Sequence, residues 1–461
     1  MATRNVAVIL ASGVGERAGF SRPKQLVKLA GRPVVSHALE RFQTHPRIDE
    51  IAIVTNEQCR STIEDLVNRE GLTKVRRILL GGSERYQSSM AAIDAYERDA
   101  ERDDLRLLFH DAVRPLVSHR IIEDVIEALG HYRAVDVAIR ATDTVIRADN
   151  RTGIIQDIPD RSLLRLGQTP QGFAFETIRE AYRLALADPG FATTDDCGVV
   201  VRYLPHVPVF VVDGDPANMK LTYPDDLMII DKFMQSNAGR RLSPEAETLL
   251  LSGLRDRHLA IIGGTSGIGQ AMVRLAEAYG ATVSSTGHSA GLDIGDGAAV
   301  AEWLADAHER APIDAIVNSA AVLDRQPLVS MDLAQMRRSV ETNFLGAVNV
   351  AAAAHPHLRQ TRGHLMFFAS SSYTYGRALY STYSASKAAV VNLTQALADE
   401  WAEAGIHVNC VNPERARTPM RTRAFGTEPA DTLLDPDDVA RRSLSVLVGN
   451  SSGIIYDVVK N

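Results

Sequence analysis

Short apolar runs alternate with helix-spaced segments from one end of the chain to the other. In the first half, runs that suit buried strands lie at Val6–Leu10, Ile51–Thr55, Ile78–Leu80 and Leu105–His110, and helical spacing occupies Val34–Phe42 and Cys59–Asn68. In the second half, strand-like runs lie at Leu259–Ile262, Thr282–Ser285, Ala315–Val317 and His364–Phe368. Strands that alternate with helices are typical of parallel sheets flanked by helices. The pattern therefore predicts an α/β protein.

One polar stretch divides this pattern into two series. Residues 235–244 read QSNAGRRLSP and follow a helical segment at Pro224–Met234. A chain of 461 residues is long enough for two or three domains of ordinary size. We predict a first domain over 1–235, a linker over 236–255 and a second domain over 256–461. Each domain is expected to be a mostly parallel, Rossmann-like sheet flanked by helices.

The composition argues against several kinds of partner. The net charge is −7 and no long run of Lys and Arg is present, which disfavours nucleic acid as a partner. No apolar run approaches the ~20 residues of a membrane-spanning helix, and the run at Val6–Ala11 is too short for a signal-peptide core. Cys59, Cys197 and Cys410 lie far apart, which predicts reduced thiols without a metal-ligand pattern. Together these features predict a cytoplasmic protein.

The first apolar run leads into a loop suited to phosphate. Glycines let backbone amides approach phosphate oxygens where a side chain would block the way. Arg17 and Lys24 add positive charge, which phosphoryl-type transfer needs because negative charge builds up on the leaving pyrophosphate. No Gly-Lys-Ser/Thr follows, so this is not a P-loop. We predict that a nucleoside triphosphate contacts Ala11, Ser12, Gly13 and Gly15.

Several separated motifs accompany this loop. They are LASGVGERAG at 10–19 with PKQ at 23–25, GGSERYQSS at 81–89, HDAVRPLV at 110–117, DTV at 143–145, QTPQGF at 168–173, TDD at 194–196 and NMKLT at 218–222. With these motifs, residues 5–234 resemble the cytidylyltransferases that act on polyol phosphates, namely the methylerythritol-phosphate and ribitol-phosphate enzymes. The resemblance implies that CTP is a substrate.

The resemblance also implies roles for individual positions. The two cations of the loop would stabilise the triphosphate and the transition state, and Gly82 and Ser88 would read cytosine in a pocket too small for a purine. Asp111 would bind Mg²⁺, for which a carboxylate is a suitable hard ligand. Lys220 would contact phosphate. A phosphate nucleophile needs no general base, so we expect a structural role for His110.

One metal ligand stays undetermined by the sequence. Asp213 and Asp215 are the alternatives for a second Mg²⁺ ligand, and the sequence favours neither.

A second glycine loop opens the second half. It follows a strand-like run and precedes a helical segment, the context in which a dinucleotide pyrophosphate sits at a helix N-terminus. The loop supplies the predicted cofactor contacts Gly263, Thr265, Ser266, Gly267, Ile268 and Gly269.

The sequence YSASK places Tyr383 and Lys387 on one face of a helix. A nearby ammonium favours tyrosinate, so we expect Lys387 to lower the pKa of Tyr383. With Ser370 and Asn343, these residues resemble the tetrad of the short-chain dehydrogenase/reductase family. The resemblance implies that Tyr383 donates a proton, Ser370 holds the carbonyl oxygen, Lys387 binds the nicotinamide ribose and Asn343 anchors a water. Ser371 is an alternative for the serine role.

The preferred nicotinamide cofactor is expected to be NADP(H). No acidic residue follows the second strand, where an NAD enzyme tends to hold the ribose hydroxyls, and His288 lies there instead. By resemblance, Asp293 would contact adenine, and Asn318 opens a variant of the family's NNAG motif. The family's Pro-Gly turn is replaced here by Pro413-Glu414.

The segment ERARTPMRTR at 414–423 is rich in arginine. Fork-like guanidinium donors suit a phosphate, so Arg415, Arg417 and Arg421 are predicted to bind the phosphate of the substrate. A solvated basic loop is the alternative.

The two halves suggest consecutive reactions. A reductase makes an alcohol, and a polyol-phosphate cytidylyltransferase consumes a phosphorylated one. The whole chain resembles bifunctional capsule-pathway enzymes that reduce ribulose 5-phosphate to ribitol 5-phosphate and convert it to CDP-ribitol. The resemblance, rather than residue chemistry, names these sugars, and it also implies a homodimer. One alternative is a methylerythritol-phosphate cytidylyltransferase fused to an unrelated or non-catalytic reductase-like module. Another is a second half that only senses NADP(H) or dimerises.

Overall fold

The structure is a computed structural model of the full chain. It describes residues 3–13, 22–82, 84–100, 104–238 and 244–460. The chain divides into two compact units. The first comprises residues 1–29 and 33–230, and the second comprises residues 30–32 and 231–461.

The first unit alternates strands and helices. Its strands are β1 (Thr3–Ala11), β2 (Lys28–Leu29), β3 (Arg32–Pro33), β4 (Glu50–Thr55), β5 (Val75–Leu80), β6 (Asp104–Asp111), β7 (Ala134–Arg140), β8 (Arg147–Ala148), β9 (Ile155–Asp157), β10 (Arg165–Ala174) and β11 (Val209–Asp213). Its helices are α1 (Val34–Thr44), α2 (Glu57–Arg69), α3 (Arg85–Ala100), α4 (His119–Ala128), α5 (Phe175–Leu186) and α6 (Asp196–Tyr203). Helix α7 (Pro224–Ala238) carries the chain into the second unit.

Among the described residues, seven of these strands form one sheet in the order β11-β7-β10-β6-β1-β4-β5. Strand β10 runs antiparallel to both of its neighbours, and the other pairs are parallel. Strand β1 is buried along most of its length because apolar side chains cover both of its faces, as expected between layers of helices. The carboxyl ends of β1, β4 and β6 meet at one edge, where ligands bind in open α/β sheets.

The second unit repeats the alternation with a different connectivity. Its strands are β12 (His258–Ile262), β13 (Thr282–Thr286), β14 (Ala315–Asn318), β15 (His364–Phe368), β16 (His407–Pro413) and β17 (Ile455–Val458). Its helices are α8 (Pro244–Ser252), α9 (Gly267–Ala278), α10 (Gly297–Arg310), α11 (Leu333–Val340), α12 (Gly346–Thr361), α13 (Ser381–Glu400), α14 (Pro419–Phe425) and α15 (Pro436–Val446).

These six strands of the described chain form an all-parallel sheet in the order β13-β12-β14-β15-β16-β17. From β12 the chain first goes outward to β13 and then crosses to β14 on the other side. This reversal leaves a crevice at the carboxyl ends of β12 and β14, the usual place of a dinucleotide. The fold class predicted from the sequence, two α/β units with mostly parallel sheets, is confirmed.

The predicted linker, residues 236–255, contains an ordered element. Helix α8 lies within it, and Leu251 and Leu254 at its end are buried among the apolar side chains of the second unit. Within the described chain, no helix combines the length and the apolar character that crossing a bilayer requires. All three cysteines are free and buried.

Candidate active sites

In the first unit, a small-residue pocket lies where β1, β4 and β5 end. The Ser12 and Ser88 hydroxyls are 2.7 Å apart, and Asn56, which caps α2, donates to the Ser12 carbonyl at 2.9 Å. A Cβ on Gly82 would lie 2.2 Å from the side-chain oxygen of Gln87, so no larger residue fits there without displacing it. The structure thus brings together Ser12, Gly82 and Ser88, three of the positions predicted to contact CTP. Gly13, a fourth, directly follows Ser12 in the chain.

Asp111 ends β6 beside this pocket and is surrounded by cations. Lys220 Nζ lies 3.0 Å and Arg114 Nε 3.4 Å from its Oδ2 atom, and Arg85 Nε lies 3.9 Å from Oδ1. Despite burial, the charges of Lys220 and Arg85 hold the pKa of Asp111 well below its usual range. The carboxylate is therefore ionised, and positive charge exceeds negative charge around it.

Lys24 belongs to the same cluster. It lies on the short 3-10 helix Lys24–Leu26, which is tied to β1 because Gln25 Nε2 donates to the Ala11 carbonyl at 2.8 Å. Burial and the charge of Lys220 lower the pKa of Lys24, while the charge of Asp111 raises it. Gly15 and Arg17, the other predicted contacts of this loop, lie outside the described residues.

His110 has the structural role that the sequence predicted. Its ring nitrogens lie 3.0 Å from the Arg114 carbonyl and 3.0 Å from the Thr169 hydroxyl. Burial lowers its pKa to about 4, so the ring is neutral at pH 7. A neutral, doubly engaged imidazole holds β6 and the Asp111–Arg114 turn in place.

Asp111 fits Mg²⁺ as a single carboxylate ligand. It is ionised, and its Oδ1 atom has only Arg85 within 4 Å as an ion-pair partner among the described residues. Mg²⁺ commonly takes one or two carboxylates and completes its sphere with substrate phosphates and water. Asp215 caps its own turn by accepting from the Ala217 amide at 2.8 Å, and Asp213 is exposed. In the part of the chain that the structure describes, no three acidic, His or Cys side chains are grouped as a protein-only metal site requires.

The glycine loop of the second unit forms a close-packed cradle. Gly263 and Gly267 have φ values of 86° and 58°, which favour glycine. A Cβ on Gly269 would lie 2.3 Å from the Gly263 carbonyl oxygen. Ser266 begins α9 without a side-chain cap on the first turn, which leaves those backbone amides available to a ligand. The cradle fits a dinucleotide pyrophosphate, with Thr265 and Ile268 as members of the same loop.

The residues predicted to flank the cofactor surround this cradle. Asn318, at the end of β14, accepts from the Ala320 amide at 3.2 Å. Gly287 packs against the glycine loop, because a Cβ on it would lie 2.8 Å from the Thr265 hydroxyl. The next residue, His288, is exposed. Asp293 is exposed and accepts from the Gly295 amide at 2.9 Å.

Tyr383, Ser370 and Lys387 come together beside the carboxyl ends of β14 and β15. The Ser370 hydroxyl hydrogen-bonds the Tyr383 side chain, and Lys387 Nζ lies 5.6 Å from the centre of the Tyr383 ring. This contact favours Ser370 over Ser371 for the serine role. Lys387 is buried and donates to the Phe368 carbonyl at 2.8 Å.

The expected low pKa of Tyr383 is not found. Burial raises the pKa of Tyr383 to about 12, with the Ser370 hydrogen bond opposing the rise, and burial lowers the pKa of Lys387 to about 8. The expectation rested on helical spacing alone, which does not include the loss of water around both groups. Tyr383 is therefore protonated at neutral pH and suited to donating a proton.

The side chain of Asn343 is engaged by the backbone. It lies in a π-helical turn, Glu341–Leu345, a rare irregularity that is frequent at functional sites. Its Nδ2 donates to the Val322 carbonyl and its Oδ1 accepts from the Val322 amide, both at 2.8 Å. Each polar side-chain atom thus makes one backbone hydrogen bond and keeps the capacity for a second, so the water anchor expected at Asn343 stays a prediction.

The three predicted phosphate-binding arginines have different partners in the structure. Arg417 lies 2.5 Å from Asp435 in an exposed ion pair, and Arg415 is exposed and has no ion pair within 4 Å among the described residues. Arg421 forms a two-pronged ion pair with Glu428 at 2.7 and 2.8 Å, and its charge acts on Tyr383. Only Arg421 is thereby placed next to the predicted catalytic tyrosine.

Two arginines near these sites, Arg85 and Arg325, were given no role in the sequence analysis. Arg85 forms a 2.7 Å ion pair with the buried Asp196, which also accepts from the Tyr182 hydroxyl at 2.6 Å. Arg325 lies over the ring of Phe425 at 5.0 Å. The GGSERYQSS and TDD motifs contain Arg85 and Asp196, but no local signal marks Arg325.

Comparisons with known proteins match each half of the chain to a family. The sequence model of the family described as "IspD: 2-C-methyl-D-erythritol 4-phosphate cytidylyltransferase" matches residues 5–236, and that of the short chain dehydrogenases matches residues 284–429. The 2-C-methyl-D-erythritol 4-phosphate cytidylyltransferase of Thermobifida fusca is 42% identical over 51% of this chain and 96% of its own length. A short chain dehydrogenase structure from Salmonella enterica serovar Typhi is 25% identical, with a TM-score of 0.42, and covers 45% of this chain and 97% of that one.

A further relative spans both units. The Haemophilus influenzae protein named bifunctional ribulose 5-phosphate reductase/CDP-ribitol pyrophosphorylase Bcs1 is 44% identical over 99% of this chain and 96% of its own length. The chain therefore belongs to the family of bifunctional ribulose 5-phosphate reductase/CDP-ribitol pyrophosphorylases, with a first half that belongs to the 2-C-methyl-D-erythritol 4-phosphate cytidylyltransferases.

Proposed function

We propose that this chain makes CDP-ribitol in two steps. It reduces D-ribulose 5-phosphate to D-ribitol 5-phosphate with NADPH, and it then transfers CMP from CTP to ribitol 5-phosphate with release of pyrophosphate. The carrying observation is that one chain, similar to the bifunctional relative over 99% of its length, holds both the cation-lined pocket at Asp111 and the Tyr383–Ser370–Lys387 arrangement.

In the first unit, a phosphate oxygen of ribitol 5-phosphate would attack the α-phosphorus of CTP while the bond to pyrophosphate breaks. Lys24 and Lys220 would neutralise the charge on the leaving group, and the fixed charges around Asp111 would need little reorganisation. Mg²⁺, held by Asp111, would supply further charge neutralisation when bound. The Ser12 and Ser88 hydroxyls, 2.7 Å apart, would supply small polar groups to the pyrimidine.

In the second unit, the carbonyl oxygen of the ketose would lie between the hydroxyls of Ser370 and Tyr383. NADPH supplies the hydride when bound. Tyr383 would donate its proton to the substrate oxygen as negative charge develops there, which its high pKa permits because an alkoxide is far more basic. Lys387 would hold the cofactor ribose from its buried position.

A single incubation tests the order of the steps. Purified protein with Mg²⁺, CTP, NADPH and ribulose 5-phosphate is expected to consume NADPH and to yield the mass of CDP-ribitol. If supplied methylerythritol phosphate is cytidylylated while ribitol 5-phosphate is not, the isoprenoid alternative replaces this proposal. Omission of NADPH serves as the control, since no CDP-alditol should then form from the ketose.

The cofactor preference gives a second test. Because no carboxylate follows β13, we expect kcat/KM to be at least about tenfold higher with NADPH than with NADH. His288→Asp should narrow or reverse this ratio, since a carboxylate repels a 2′-phosphate and accepts hydrogen bonds from ribose hydroxyls. His206→Asp, at an exposed histidine of the first unit, is the control and should leave the ratio unchanged. An unaltered ratio in His288→Asp would show that the 2′-phosphate is read elsewhere.

Several finer features belong to the same proposal. We include a functional division into 1–235 and 256–461, a Mg²⁺ requirement, a homodimer, a cytoplasmic location and supply of CDP-ribitol for capsule synthesis. The similarity to the bifunctional relative over both halves supports the functional division, and the other features are predictions from the resemblance of the sequence.

A further inference from the structure

Beside Tyr383, the second unit holds two arginines on one aromatic ring. The guanidinium of Arg421 lies 4.4 Å and that of Arg325 5.0 Å from the centre of the Phe425 ring. The ring of Tyr380 meets Phe425 edge-on at 5.7 Å and Tyr383 at 6.3 Å. The two guanidiniums are thus joined to the catalytic tyrosine by a short aromatic chain.

Local sequence fixes Arg421 and its counterion. Thr418 caps α14 by accepting from the Arg421 amide, and Gly426, with a φ of 77°, ends the helix. The reversal lets Glu428 return to Arg421 as a half-buried, two-pronged partner. Gly267 packs against Thr418, because a Cβ there would lie 3.3 Å from the threonine methyl. Arg421 is therefore placed relative to the cofactor loop as well as to Tyr383.

Arg325 arrives from a distant loop that is also anchored. The amide of the next residue, Gln326, donates to the Leu379 carbonyl at 2.6 Å. Leu379 has a φ of 72°, a strained conformation for a leucine, and it directly precedes Tyr380. The only acidic neighbour in sequence, Asp324, is engaged by Arg338 at 2.8 and 2.9 Å, so it does not neutralise Arg325.

We propose that Arg325 and Arg421 form a clamp for the phosphate of the ketose, and that Glu428 holds Arg421 until the phosphate replaces it. The inference rests on the proposed reductase function and adds a residue and a counterion exchange to it. Both guanidinium carbons lie within 5.0 Å of the centre of the same ring, and two guanidiniums held close to each other can share one phosphate through bidentate contacts. Arg415, whose charge also acts on Glu428, adds to the positive excess.

The clamp provides selectivity for phosphorylated ketoses. In a five-carbon ketose 5-phosphate, the carbonyl and the phosphate lie at opposite ends of a short chain, as Tyr383 and Phe425 lie at opposite ends of the aromatic chain. A dianionic phosphate competes with the single charge of Glu428 for Arg421, whereas a neutral sugar does not.

The test compares Arg325→Ala and Glu428→Gln with the control Arg423→Ala. Arg423 is exposed and lies on α14, the helix that carries Arg421. Arg325→Ala should raise the KM for ribulose 5-phosphate about tenfold and leave the weak reduction of unphosphorylated ribulose and the Kd for NADPH unchanged. Inorganic phosphate should inhibit Arg325→Ala less and Glu428→Gln more than the wild type. Unchanged NADPH binding shows that each variant is folded.

Binding is also measured without turnover, as the rise in Tm of the full chain with inorganic phosphate. A smaller rise in Arg325→Ala than in Arg423→Ala supports the clamp even if ribulose 5-phosphate proves not to be the substrate. Equal phosphate responses and equal KM values in the wild type, Arg325→Ala and Arg423→Ala would overturn the clamp, while active reduction of ribulose 5-phosphate would leave the proposed function standing.

Discussion

Tyr383→Phe is expected to lower kcat for reduction of ribulose 5-phosphate by a factor of about a hundred to ten thousand, the usual contribution of a positioned general acid. The substitution removes only the hydroxyl that Ser370 contacts and keeps the ring that packs against Tyr380 and Lys387. NADPH consumption is the measurement. Formation of CDP-ribitol from supplied ribitol 5-phosphate should continue at the wild-type rate.

Tyr375→Phe is the matched control for this result. Tyr375 lies in the loop before α13, and its side chain is exposed, so loss of its hydroxyl should leave NADPH consumption unchanged. If Tyr383→Phe retained more than about a tenth of the wild-type kcat, another group would have to donate the proton. Unchanged overall flux would favour the alternative in which the second half only senses NADP(H).

Residue spacing predicted eight strands of the two sheets and the loops at their edges, but it did not predict β7, β10, β11 or β16. The strand expected at His364–Phe368 has those bounds in the structure, and most others extend by one or two residues. A continuous apolar run predicts a strand that is buried on both faces, because a parallel strand between two layers of helices has no polar face. Glycine spacing likewise predicted the cradle at Gly263–Gly269, where a Cβ would meet backbone.

The sequence could not predict contacts between residues far apart in the chain. Arg85 meets Asp196 across 111 positions, and Arg325 meets Phe425 from a different loop. The arginines of 414–423 look equivalent in the sequence, but Asp435 engages Arg417 and Glu428 engages Arg421. Which arginine faces the substrate depends on these partners, and no local pattern records them.

The pKa of Tyr383 shows the same limit at a single residue. Helical spacing correctly placed Lys387 on its face, but the sign of the pKa shift depends on burial. The desolvation of a phenolate in the folded unit outweighs the effects that favour it, among which the Ser370 hydrogen bond is the largest. For a proton donor, the result is favourable, since the hydroxyl remains protonated at neutral and mildly alkaline pH.

Asp111→Asn is expected to lower CMP transfer to ribitol 5-phosphate about a hundred- to a thousandfold, a typical effect of removing one preorganised electrostatic group. The amide keeps the size of the carboxylate but cannot balance Lys220 and Arg114 or bind Mg²⁺ strongly. Release of pyrophosphate is the measurement, and reduction of ribulose 5-phosphate should be unchanged.

Asp213→Asn is the matched control for this result, and a Mg²⁺ titration of Asp111→Asn distinguishes a metal ligand from a carboxylate that only carries charge. Asp213 ends β11 with an exposed side chain, so its amide should leave CMP transfer unchanged. In Asp111→Asn, activity that recovers as the Mg²⁺ concentration rises would identify Asp111 as a ligand, because a weakened site fills by mass action. Activity that stays low at every Mg²⁺ concentration would instead assign Asp111 to positioning Lys220 and Arg85. Wild-type activity in Asp111→Asn would remove this residue from the site altogether.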